Sequence, residues 1–402
     1  MKCDVVIGAN FGDEGKGRMV SYLAWLNPKS PVIRFNGSCQ ASHTVTMELD
    51  GNMVRHAFRH LGSGTFTGNP TYFTQDFVVN PMIFWEEVAM MMNNFNVVPR
   101  VLLDPRCIVA TPFDMMINQW LEISRGASRH GSCGFGMNET VTRSENHQFK
   151  LTFENKFMQM TKQEIYEFII SIRDVYFKPR IEELGLVLED WMVEIYNNES
   201  IVMNYIEDLT TMMKMIGIVP IEVYLKAHDH VIFEGAQGLG LDQTHGVFPH
   251  VTRSNTGMHN VAKYLCEDDN VNIHYMTRSY ITRHGAGPFE EDPTMKFEDL
   301  NNVPNEWQGT MKFGVLNVGD MRDRIEIDLI YAKFLKNKQV YINITCLDQV
   351  QFFTCKDSKF NKFGNISVLP SNEIGVRDMI ETMIPFAKVN KLFYGHNFSD
   401  VR

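Results

Sequence analysis

The chain has 402 residues, with 38 Lys and Arg against 48 Asp and Glu, a formal net charge of −10 with His neutral, and 44% hydrophobic residues. This is the composition of a soluble globular protein long enough for a large α/β core. Its acidic balance lacks the basic field that neutralises duplex phosphates, so no direct nucleic-acid partner is expected. The seven cysteines are scattered and odd in number, with no CxxC pair, which argues for a reducing, cytoplasmic setting and against a disulfide or zinc framework. No signal peptide is legible, no run approaches the ~18 apolar residues of a membrane span, and no membrane partner is expected.

In chain order, residues 3–9 predict a strand, 10–17 a glycine loop, 18–26 a helix and 31–35 a second strand ending in Asn36-Gly37. Strand, loop, helix, strand is the opening of an α/β fold. Further short strands are expected at 77–79, 101–103, 231–233, 273–282 and 340–345. From about 150 to 225 the pattern changes to amphipathic helical segments, such as 162–172 and 206–216, which predict a helical subdomain inserted in one α/β core spanning 1–402. Polar, glycine-containing breaks at 126–138, 235–257, 285–293 and 301–314 read as binding loops.

Gly12-Asp-Glu-Gly-Lys-Gly17 stands between the first strand and helix, where backbone N–H groups and the helix N-terminus can hold phosphate. It is not a Walker A loop, because six residues separate Gly8 from Gly15-Lys16 and Gly17 follows the lysine in place of Ser or Thr. Nor does it have the GxGxxG spacing of a dinucleotide fold. It offers instead a carboxylate, Asp13, inside a phosphate cradle, able to ligate Mg²⁺, to act as a base, or both. Taken alone, the segment also fits a tight turn with a surface Asp-Glu-Lys triplet.

Phe11 to Gly17 resembles the GDEGKG signature of the adenylosuccinate synthetases, and further blocks follow in order. Asn36-Gly-Ser-Cys-Gln-Ala-Ser-His-Thr44 is similar to GGHNAGHT, Gly131-Ser-Cys-Gly-Phe-Gly136 to GTTGxG, and Phe233-Glu-Gly-Ala-Gln-Gly238 to FEGAQG. His245-Gly-Val-Phe-Pro-His-Val-Thr-Arg-Ser-Asn-Thr256 resembles HGTYPYVTSSNT, and Arg283-His-Gly-Ala-Gly-Pro-Phe289 resembles RVGAGPF. The resemblance implies a P-loop-like, mostly parallel central sheet flanked by helices, and a carbon–nitrogen ligase that joins L-aspartate to C6 of a purine nucleoside monophosphate with ATP or GTP and Mg²⁺.

By the same resemblance Asp13, His43 and Lys16 are the catalytic residues, and Asp13 and Ser42 would hold the metal. Gly12, Glu14, Gly15, Gly17, Arg18, Gln40 and Ala41 fall on nucleotide-binding positions, as do Leu347, Asp348 and Gly395. Gln237 would contact the base, while Ser132, Cys133 and Thr252 would hold the monophosphate. Arg143 would complete that site from a second subunit, which implies a homodimer. Gly309, Thr310 and Lys312 match the aspartate loop, but Lys312 stands alone where the family's ATTGRRRRTGW has several arginines.

Other departures are Cys39, Gln40 and Ser42 within the second loop, and Cys346-Leu-Asp348 where the family has KLD. Altered base-side and aspartate loops on an intact catalytic frame resemble the bacteriophage branch of 2-aminoadenylosuccinate synthetases. That implies dGMP as substrate, N6-succino-2-amino-dAMP as product, a role in making 2-aminoadenine DNA, and a host-cytoplasmic location. Asp13 speaks against that branch, since some of its members carry a smaller residue there. A divergent adenylosuccinate synthetase using IMP and GTP is the alternative, and a catalytically inactive nucleotide-binding module a further one.

Overall fold

A computed structural model describes residues 1–297, 310–357, 365–370, 373–395 and 400–401. Among these, nine strands form one sheet in the order Lys388–Leu392, Asn337–Thr345, Asn270–Arg278, Lys2–Gly8, His230–Glu234, Val32–Arg34, Thr71–Phe73, Val101–Leu103 and Gly217–Ile218. Every neighbouring pair is parallel. The expected mostly parallel central sheet flanked by helices is the fold found.

Parallel strands covered on both faces read as continuous apolar runs, and Lys2–Gly8 is buried from Cys3 onward. On one face, Met19, Val20, Leu23 and Ala24 of helix Lys16–Leu26 pack on Val6, Val32, Ile232 and Met276. On the other, Val5, Ile33, Phe233, Ile273 and Ile342 meet Met321 and Ile325 of helix Val318–Asp328. The chain builds one side of strand Lys2–Gly8 through His230–Glu234 and then crosses to Asn270–Arg278 on its other side. The crevice at such a switch point, beyond the carboxyl ends of the strands, is where α/β sheets place ligands.

Helices Lys162–Ser171, Asp190–Tyr196 and Glu199–Met215 fill the 150–225 stretch. Ile165, Ile169, Tyr196, Val202 and Leu209 share a core with Phe84, Phe113 and Trp120 of helices Pro81–Phe95 and Pro112–Arg125, and with strand residues Phe73, Val101 and Leu103.

The expected strand at 77–79 is replaced by Thr71–Phe73, because Phe77 and Val79 form only isolated bridges to Gly37 and Val109. The 273–282 run divides into Asn270–Arg278 and Ile281–Arg283, and the latter turns away to pair antiparallel with Lys312–Gly314. A hairpin not expected from the sequence, His43–Leu49 with Asn52–Phe58, turns at Asp50-Gly51, both left-handed at φ 50° and 79°. That is the backbone a two-residue hairpin turn requires.

Candidate active site

The loop after Lys2–Gly8 leads into the helix through Gly12 (φ 97°), Asp13 (φ 56°) and Gly15 (φ 81°). Glu14 folds back under the loop, buried, and accepts the Asn10 N–H at 2.7 Å and the Gly12 N–H at 3.3 Å. Burial pushes its carboxyl up to about 7, against the pull of Lys16. Its carboxylate therefore braces the loop from inside, while the residue itself lines the cleft. Lys16 is 4% exposed. Burial lowers its ammonium, while Glu14, Asp13 and Glu234 act to keep it charged.

His43, at the start of the hairpin, comes against the helix where Gly17 leaves room. A Cβ on Gly17 would lie 2.6 Å from that of His43 and 3.0 Å from the Ser63 hydroxyl. His43 Nδ1 is 2.6 Å from Glu234 Oε1 at the end of strand His230–Glu234. Glu234 also accepts the Ser63 N–H at 3.0 Å and the Ser63 hydroxyl. Burial would raise this carboxyl, but His43, Arg34 and Ser63 draw it down to about 2. Burial lowers the imidazole's pKa while Glu234 works to raise it, and its Nε2 is buried without a partner. Neither Glu234 nor Ser63 was expected as a site residue; the FEGAQG-like block was the available signal.

These groups open into a cleft of about 1080 Å³, enough for more than one nucleotide-sized ligand. Residues 12–18 and 40–43 line it together with Ser132, Cys133, Gln237, Thr252, Asp348 and Gly395. Gln40 Nε2 donates to Thr252 Oγ1 at 3.2 Å. Ser132 Oγ donates to Asn118 Oδ1 at 2.8 Å, and the Gly131 N–H reaches Glu122 at 3.0 Å. Gln237 holds a left-handed backbone at φ 56°, with its Oε1 buried and unpartnered. Arg18 lies 4.6 Å over the Phe393 ring, and burial lowers its pKa to about 10.

Other expected residues lie elsewhere. Arg143 is fully buried, bonding Asp114 at 3.1 and 2.9 Å, Phe149 O at 2.6 Å and Val109 O at 2.7 Å. With its donors held inside its own chain, it does not reach out to a second subunit, which corrects the expectation. Leu347 is 1% exposed in the main core, so its side chain is not a nucleotide contact. Thr310 and Lys312 do not line the cleft, and Lys312 Nζ donates to Gly285 O at 3.3 Å. Gly309 lies outside the described residues. Arg283, on the cleft wall, spans the carbonyls of Ala286, Pro288 and His250 at 3.2, 3.2 and 3.1 Å. The sequence reading also missed His284, whose Nε2 is 3.6 Å from Asp13 Oδ2.

A family model described as adenylosuccinate synthetase matches residues 5–330. The chain belongs to the adenylosuccinate synthetase family. Adenylosuccinate synthetases of Desulforapulum autotrophicum and Mesoplasma florum are 29% and 30% identical to it over 307 and 313 residues, 74% of this chain in both cases. The match covers 66% and 65% of those relatives, so the chain spans just under two thirds of their length. The fully ligated adenylosuccinate synthetase of Plasmodium falciparum superposes with a TM-score of 0.71 at 16% identity, over 99% of this chain and 98% of that one. The cyanophage S-2L succinoaminodeoxyadenylate synthetase, bound to dGMP and to dATP as an energy donor, gives 0.59 at 15% identity, over 100% and 95%. At these identities the two structures share the adenylosuccinate synthetase fold. No helix among the described residues is long and apolar enough to cross a membrane.

Proposed function

We propose that this chain joins L-aspartate to C6 of a purine nucleoside monophosphate through a 6-phosphoryl intermediate. The observation that carries the reading is the meeting of Asp13, Lys16 and the Glu234-backed His43 in one cleft beyond the sheet's carboxyl ends. A ring lactam oxygen is a poor leaving group and must first become a phosphate ester. Asp13 accepts the N1 proton and charge builds on O6. His43, as the imidazolium with Glu234 holding its Nδ1–H, donates from its unpartnered Nε2 to O6 as that oxygen attacks the γ-phosphorus and the nucleoside diphosphate leaves. Lys16 and the loop N–H groups take up the charge on the transferred phosphoryl. The amine of aspartate then bonds to C6, phosphate departs with the C6–O6 electron pair, and the amine gives up a proton.

Magnesium takes hard oxygen donors and draws most of its octahedron from water and phosphate. The part-exposed carboxylate of Asp13 and the hydroxyl of Ser42, in one cleft, fit that demand. When bound there, the ion would neutralise phosphate charge.

Among monophosphates we favour dGMP, giving N6-succino-2-amino-dAMP as a precursor of 2-aminoadenine DNA. Asp13 and Gln237 both line the cleft, the first with a carboxylate and the second with an Oε1 that has no protein partner. Guanine offers donors at N1 and at its 2-amino group, whereas hypoxanthine offers only N1. IMP with GTP is the second reading, favoured by the exposed Asp348 on the cleft wall, which can accept from guanine N1–H and N2–H₂ of a donor nucleotide. A homodimer remains part of the proposal, with an exchanged residue other than Arg143. Aspartate-dependent phosphate release with IMP, GMP and dGMP, each with ATP or GTP, tests these readings. Turnover with IMP alone overturns the dGMP assignment, and tight nucleotide binding without turnover in any combination marks a binding module.

A further inference from the structure

Two histidine–carboxylate pairs face this cleft, arranged in opposite senses. In the first, Glu234 stands behind and His43 presents Nε2 to the cleft. In the second, Asp13 is the exposed member at 31% of its side chain, and the imidazole of His284 stands behind it at 15%. The first pair is closed at 2.6 Å and the second stands open at 3.6 Å.

The environment of His284 is built. It follows strand Ile281–Arg283, and its loop is tied from several directions: by Arg283 to the carbonyls of Ala286 and Pro288, by Lys312 Nζ to Gly285 O, and by the Ala286 N–H to His130 O at 3.4 Å. Both ring nitrogens are nonetheless buried with no hydrogen-bond partner. Asp13 is placed as firmly, because its left-handed backbone is clamped where Arg278 Nε donates to its carbonyl. Among the described residues, His284 is the ion-pair partner of its carboxylate. A buried polar group left unmatched in a rigid wall is a group awaiting a contact. The nearest one requires a closure of less than 1 Å to bring 3.6 Å into hydrogen-bond range.

We propose that His284 is a positioning residue for Asp13, its Nε2–H closing onto Oδ2 and turning the other carboxylate oxygen towards the nucleotide N1–H. This rests on the ligase reading given above. A carboxylate on a flexible stem loses rate when free to rotate, and a fixed donor behind it restores the productive orientation. The adenylosuccinate synthetase signature RVGAGPF has an apolar residue where His284 stands.

The test compares wild type, His284→Val and His284→Gln in steady-state phosphate release, with unfolding midpoints as a fold control. Gln keeps a donor near the ε position. His284→Val is expected to lower kcat about tenfold with nucleotide KM changed less than about twofold, and His284→Gln to recover most of that loss. In an Asp13→Asn background, His284→Val is expected to cost nothing further. Unchanged kcat in His284→Val, a loss confined to KM, or no rescue by Gln overturns the role of His284 alone. Absence of turnover in the wild type with every nucleotide overturns the ligase reading and this role with it.

Discussion

His43 Nδ1 and Glu234 Oε1 stand 2.6 Å apart, both residues buried, although 191 positions separate them in the chain. A carboxylate held ionised on Nδ1 takes the Nδ1–H, so Nε2 carries a hydrogen to donate when His43 is the imidazolium that this carboxylate supports. His43→Ala is expected to lower kcat by on the order of 10²-fold or more, and Glu234→Gln by about 10- to 10²-fold. Because the two act as one unit, the double variant should be no slower than His43→Ala. Steady-state kinetics on the three variants checks this, and additive losses would separate the two roles.

Asp13→Asn keeps the shape of the loop but removes the proton acceptor. Turnover with any nucleotide should fall to near background while the unfolding midpoint stays within a few degrees of wild type. More than about a tenth of wild-type kcat in the variant would remove Asp13 from the role of base.

Arg143 and Asp114 form a fully buried pair, and Asp114 also accepts the Thr111 N–H at 2.7 Å. Truncating the arginine strands that carboxylate in the core. Arg143→Ala is therefore expected to destabilise the chain by about 3–5 kcal/mol, read by urea unfolding. A variant of wild-type stability with only a raised nucleotide KM would return Arg143 to a binding role.

His60 packs edge-on among Phe73, Phe77 and Phe84, with ring centroids 6.1, 5.8 and 5.9 Å away, and its Nε2 accepts the Asn80 N–H at 3.0 Å. Burial lowers its pKa to about 3, against about 6.5 in the unfolded chain. The unfolded state thus binds a proton that the folded state refuses. The stability this neutral ring supports is complete above pH of about 6.5 and is lost as pH falls from there towards 3, at about 1.4 kcal/mol per pH unit. His60→Gln, which keeps an acceptor for Asn80, should remove one proton's worth of slope in that window when unfolding is followed across pH. An unchanged slope would mean the ring is already charged in the fold.

The glycine loop and the α/β opening were legible because both are local: a turn of particular residues between an apolar run and a helical period. The parallel sheet and the roles of Asp13, Lys16 and His43 came instead from the ordered blocks that resemble the family. Glu234 was missed, because its meaning arises only when its strand pairs beside Lys2–Gly8 and brings its end under the hairpin. Arg143 failed in the opposite direction. A position a few residues beyond the matched block 131–136 says nothing about the rotation of helix Met137–Glu145, which turns that side chain onto Asp114. The strand misplaced at 77–79 reflects the same limit, since the apolar run there is core without ladder partners beyond single bridges.

The missing side chain of Gly17 has a reach beyond the turn it serves. With 2.6 Å between its would-be Cβ and that of His43, helix Lys16–Leu26 and the hairpin that begins at His43 are gauged against each other by the width of one methyl group. A larger residue there would push the His43 hairpin away from the helix, so the spacing of His43 and Lys16 is set by an atom the protein leaves out.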